Sequence, residues 1–252
     1  MAKEKVEIVE TAKFKTSGCA ALVAFPGVGM SGNIALTHLI DKPGMKEVGH
    51  IKSPETPHVV LVHKNRPAYP IRIYAGKSMI ALVSELPVLS HATEELNKAL
   101  IDWFKEKKIK RVYLLGGFPN AKKVSQRKSE VYGIPSDKET EAMIKKFKLK
   151  PIKEGAVFGE EGLLLLAAME SKIPALYILS DAFVSFPDPG SASAIIETLN
   201  RILGTKVEYK SLSTKGEEIK KKFNTLMQQT KQLLEKKQMP PPPEKGMSPM
   251  YR

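Results

Sequence analysis

Cys19–Phe25 (CAALVAF) runs into Pro26–Gly32 (PGVGMSG) and then into Gly32–Ile40 (GNIALTHLI), and this succession decides the fold. The first segment is continuously apolar, the pattern of a strand covered on both faces. The last has the composition and length of a helix packed behind it. The glycines between them predict a tight turn from strand to helix. The same succession recurs along the chain. Val48–Ile51, Val59–His63, Ile71–Ala75 and Met79–Ser84 are predicted strands, and the last two flank Gly76-Lys77, a hairpin signal. From Ala92 the pattern turns helical, with Leu96, Leu100, Ile101, Trp103 and Phe104 on one face. Glu94 and Glu95 open that helix and Lys105, Lys107 and Lys108 close it, as the helix dipole favours. Arg111–Leu115 and Ala175–Ser180 are further strands; Asp137–Lys148, Gly162–Ser171 and Ser191–Leu203 are further helices. The lead before Cys19 and residues 119–136 read as polar and irregular. This alternation predicts an α/β fold, a mixed sheet with helices on both faces.

Charge and composition narrow the function classes. Forty Lys and Arg face 27 Asp and Glu, a net charge of +13. Only six of the forty are arginine: Arg66, Arg72, Arg111, Arg127, Arg201 and Arg252. Base-edge reading relies on the bidentate guanidinium fork, so a lysine-dominated excess lacks the usual tool. No stretch interleaves aromatics with basic residues to stack bases. The excess reads as the solvated surface of a heat-adapted protein, and no nucleic-acid partner is expected. No apolar run exceeds seven residues, whereas a spanning helix needs about 20. The opening residues lack the apolar stretch of a signal peptide. A cytoplasmic protein without a membrane partner is expected.

Gly27, Gly29 and Gly32 form a G-x-G-x-x-G after a predicted strand, the context of a dinucleotide-binding turn. Pro26 stands between the strand and the turn, and the acidic residue expected about 20 positions on falls at Glu47, before its strand rather than at its far end. The turn therefore reads first as close backbone packing, with a nucleotide- or nucleoside-binding protein or enzyme at 27–32 as the alternative. Ala75-Gly76-Lys77-Ser78 lacks the second glycine of a phosphate loop, since Ile71 holds that position. His38, His50, His58, His63 and His91 show no metal-ligand spacing, and no G-x-S-x-G elbow occurs. Ser180, Asp181, Ser185 and Asp188 fall near predicted strand ends, but Asp188 before Pro189 reads as a helix cap. Cys19 reads as a small core residue. No catalytic residue, cofactor or metal is assigned, and an enzyme is not expected.

The C-terminal part differs from the rest. Residues 1–213 read as one α/β domain, 214–238 as an amphipathic helix and 239–252 as a proline-rich tail. Ile219, Phe223, Leu226, Thr230 and Leu233 step by 4, 3, 4 and 3, a heptad seam with Thr230 its weak member. The seam serves either packing on its own domain or the joining of subunits; Ile219, Phe223, Leu226 and Leu233 are the oligomerisation candidates. Pro240–Pro243 follow, a polyproline spacer that stands off a surface. Met250, Tyr251 and Arg252 then read as a capture peptide: a ring to bury, a hydroxyl to bond and a carboxylate to pair with a lysine.

Taken together, Ala24–Asn33 (AFPGVGMSGN), Leu114–Gly117 (LLGG), Gly155–Gly159 (GAVFG) before Gly162–Leu164, and Phe186–Ala192 (FPDPGSA) resemble the motifs of the proteasome assembly chaperone family. The likeness spans about residues 16–210. It implies a three-layer α/β/α sandwich, similar in fold to nucleoside phosphorylases but without their active-site residues. It also implies action on the core proteasome through its α subunits, without ATP, by an archaeal homo-oligomer such as a tetramer. Some members end in hydrophobic-Tyr-any, which Met250, Tyr251 and Arg252 match. In proteasome activators such a tail inserts between α subunits and favours gate opening.

Overall fold

A computed structural model describes residues 6–53, 59–63, 65–89, 92–120, 129–184, 186–212 and 225. The central strand is β2 (Ala20–Ala24), and it explains the decisive apolar run. Ala21 and Val23 point into one core while Leu22 and Ala24 point into the other, so every residue needs to be apolar. The turn after it holds a short 3₁₀ segment, Val28–Met30, and leads into α1 (Ser31–Ile40). The chain continues through β3 (Lys46–Lys52), β4 (Leu61–His63), β5 (Arg66–Ala68), β6 (Ile71–Ala75) and β7 (Met79–Ser84). Next come α2 (Thr93–Glu106), β8 (Arg111–Pro119), β9 (Val131–Pro135), α3 (Lys138–Lys146) and β10 (Lys150–Pro151). The remainder is α4 (Glu160–Glu170), β11 (Ala175–Ala182), α5 (Pro189–Leu203) and a 3₁₀ turn at Lys210–Leu212. Glu7–Glu10 precedes them all as β1.

Nine strands form one mixed sheet in the order β1-β3-β6-β7-β2-β8-β11-β9-β10. β7, β2, β8 and β11 run parallel at its centre. β6 and β7 pair antiparallel, so the hairpin expected at Gly76-Lys77 is present. α2 and α4 cover one face, their Leu96, Leu100, Phe104, Leu164 and Ala168 packing on Ala21, Val23, Val112 and Tyr177. α1, α5 and α3 serve the other, with Ile34, Leu36, Met143, Ile195 and Leu199 against Leu22, Leu115 and Ile178. The result is the expected α/β/α sandwich.

Local chemistry sets the helix ends. Asp137 accepts from Thr140 N at 2.7 Å while Thr140 bonds back to Asp137 N, a capping box for α3. Asp188 caps α5, accepting from Ser191 N at 2.9 Å with Pro189 in the first turn.

Three sequence expectations need correction. The polar lead contains β1, whose Ile8 packs partly into the core and whose Glu10 accepts from Trp103 Nε1 at 2.8 Å. Within the stretch read as irregular, Val131–Pro135 is β9, pairing antiparallel with β11. Gly133 lies where a Cβ would crowd Ile144 and Leu149, so the strand lacks the apolar continuity that marks its neighbours. The strand expected at Val59–His63 shrinks to Leu61–His63 and pairs only with β5, outside the main sheet.

Candidate functional site

The parallel strands β2, β8 and β11 end on one edge, where α/β folds place their sites. The glycine turn lies there, and its space is filled by the chain's own backbone. A Cβ on Gly32 would stand 2.6 Å from the Leu115 carbonyl carbon, and one on Gly117 2.8 Å from that of Val28. Gly29 adopts φ +61° against Ala182 and Asp188. Asp188 N donates to Gly29 O at 2.8 Å, tying the turn to the start of α5. The crevice left among Phe25, Gly27, Gly116, Gly117, Phe158, Glu161 and Tyr177 has a volume of about 10 Å³, room for one water. A pyrophosphate does not fit this space. The nucleotide alternative loses the structural basis that its motif suggested.

Glu161, in the first turn of α4, closes that crevice. It is 3 % exposed and accepts from Phe25 N at 2.8 Å. Burial pushes its carboxyl up to about 7. Burial also raises the neighbouring Tyr177 hydroxyl, with the Glu161 charge adding to it. The sequence reading began this helix at Gly162 and so missed Glu161; the Glu160-Glu161 pair before a leucine run was the available signal, as acidic residues favour a helix N-terminus. Asp181 and Asp188 are both structural here. Asp181 accepts from Glu130 N at 2.8 Å and from Asn120 Nδ2 at 3.0 Å. Cys19 is buried in the core and its thiol is pushed up by burial.

A second crevice had no motif to announce it. Arg72 and Glu85, both buried, form an ion pair across β6 and β7. His63 Nε2 lies 2.8 Å from Glu85 and 3.2 Å from Arg72, and Arg72 also faces Glu47 at 3.5 Å. Burial alone would raise the Glu85 carboxyl, but the hydrogen bond from His63 and the Arg72 charge hold it below the usual range. The β4–β5 hairpin overhangs this cleft of about 930 Å³, which also takes in Lys42, Arg66 and Tyr74.

The third feature is apolar. On α4, Leu163, Leu166 and Met169 are about half exposed at helical spacing, and Phe158 just before the helix is 88 % exposed. A groove of about 690 Å³ runs beside Phe158, Leu163 and Leu166 toward Ile134 and Val157.

Among the described residues no group of three or more His, Cys, Asp or Glu could hold a metal, and no helix is long and apolar enough to cross a membrane. Met250, Tyr251 and Arg252 lie outside the described residues, as do Ile219, Phe223, Leu226 and Leu233, Ser185, His58 and His91.

The model of the PAC2 family matches residues 21–227. The chain belongs to the PAC2 family. The crystal structure of PbaA from Pyrococcus furiosus, an archaeal homolog of proteasome-assembly chaperone, superimposes with a TM-score of 0.83 at 25 % identity, covering 90 % of this chain and 98 % of that one. PbaB from the same organism, an archaeal proteasome activator, gives 0.74 at 21 % identity, covering 88 % and 99 %; at that identity it speaks for the fold alone. An uncharacterized protein of Methanocaldococcus jannaschii is 25 % identical over 233 residues, 92 % of this chain and 95 % of its own length.

Proposed function

We propose that this PAC2 protein is an ATP-independent partner of the core proteasome, an assembly chaperone or activator. It docks Met250, Tyr251 and Arg252 between α subunits and thereby favours gate opening. The observation that carries the reading is the likeness along nearly the whole chain to PbaA, a homolog of proteasome-assembly chaperone, in a chain whose sequence reaches Met250-Tyr251-Arg252 through Pro240–Pro243. The Tyr251 ring would bury apolar area while its hydroxyl takes one hydrogen bond. The terminal carboxylate would pair with a lysine of the receiving pocket. The polyproline spacer limits the entropy lost on docking. Several copies held together would present several tails, and linkage of that kind raises avidity by roughly 10²–10⁴ over one tail. With a net charge of +13, the body suits a docking surface bearing acidic patches.

The test is a pull-down of core proteasome with the full chain, with Tyr251→Ala and with a chain extended beyond Arg252. Both altered chains are expected to lose the proteasome while keeping the circular dichroism of the parent. Equal recovery by Tyr251→Ala would remove the tail from the mechanism.

A further inference from the structure

α4 is apolar almost all round, yet only one side of it is covered. Leu164, Leu165 and Ala168 fill the core, while Leu163, Leu166 and Met169 lie outward with Phe158 at their head. A helix hydrophobic on every side belongs inside something, and a contiguous exposed patch of this kind marks an interface. In a chain of net charge +13, α4 is moreover acidic: it carries Glu160, Glu161 and Glu170 and no Lys or Arg.

The chain holds one segment complementary to this face. Residues 215–237 present the seam Ile219, Phe223, Leu226 and Leu233 with seven lysines against three glutamates. Within them Thr225, which falls off the seam, is helical and exposed. We infer that the 215–237 helix lays its seam along the outer face of α4, and that it does so on a neighbouring copy. The second half of the inference follows from where the described chain stops. Leu212 is buried in the α1/α5 layer, and α4 lies on the opposite face of the sheet. Residues 213 and 214 reach at most about 7 Å. A helix starting there cannot bring Ile219 to the far side of its own sheet. A second copy supplies an α4 that can be reached, and exchange of helices between copies closes each apolar face. This rests on the amphipathic reading of 215–237 and deepens the proposed multi-tailed assembly, since the exchanged helix would carry each tail away from its own body.

The experiment places a photo-crosslinking residue at Leu166 in the full chain, mixes isotopically heavy and light protein, and maps the products by mass spectrometry. Cross-links from 166 into residues 219–233 in heavy–light pairs are expected. Cross-links only within one chain, cross-links from α4 to α4 of another copy, or none at all would each overturn the inference. Leu166→Glu and Leu226→Glu should each lower the mass in light scattering to that of a single chain, with thermal unfolding and circular dichroism confirming a folded body. A parental mass in either variant would also overturn it. No proteasome is present in these measurements, so failure of the tail to bind one leaves their outcome untouched.

Discussion

Two crevices of this molecule show opposite relations between motif and space. The glycine turn at Gly27–Gly32 carries a recognisable signature and encloses about 10 Å³. The cleft under the β4–β5 hairpin carries none and encloses about 930 Å³. Glycines permit close approach, but what approaches is not fixed by the spacing; here it is the carbonyl groups of Leu115 and Val28. The open cleft is built from Glu47, Arg72 and Glu85, which the pairing of β3, β6 and β7 brings together, and from His63 of the separate β4–β5 hairpin. A sequence motif thus reports backbone geometry here, while the polar chemistry lies elsewhere.

Three measurements can break or sharpen this contrast. The largest effect is expected from Gly32→Ala, whose new carbon would collide with the Leu115 carbonyl. A loss of about 4 kcal/mol or outright failure to fold is expected, read from denaturant midpoints; a neutral result would mean the closed crevice has room to open. Next is Arg72→Met, which leaves the buried Glu85 without its guanidinium partner. A loss of about 3 kcal/mol is expected in the same assay, and parental stability would show that the cleft is hydrated enough to need no ion pair. The smallest is a pH effect at Glu161. Its folded carboxyl titrates at about 7 against an ordinary 4.5, so the unfolded chain loses this proton first as pH rises. Stability should therefore be greatest below 4.5, fall through the interval up to 7, and level above it. The change is at most about 3 kcal/mol. Glu161→Gln, which still accepts from Phe25 N, should flatten that interval; an unchanged slope would assign the titration to another group.

Much of the architecture was legible because burial dictates composition at the centre of the sheet. β2, β7, β8 and β11 are buried for most of their length, and each carries an unbroken apolar run: Ala20–Ala24, Met79–Val83, Val112–Leu115 and Ala175–Leu179. Edges obey weaker rules. β1 has only Ile8 and Val9 between two glutamates, and β9 interrupts its apolar positions with Gly133 and Pro135, so neither stood out. Asp188 was legible as a cap because Pro189 follows it. Glu161 and the Arg72–Glu85 pair were not, because a buried charge is recognised by its partner and no local spacing names the partner. Met250, Tyr251 and Arg252 were readable only as chemistry, because a pocket proposed to lie on another particle leaves no mark in this sequence.

β10 has one more consequence. It is two residues long, ends in Pro151, and forms the last rung of the sheet beside β9. Proline offers no amide hydrogen, so this border cannot template an added strand. Recruitment by strand addition is barred along that margin.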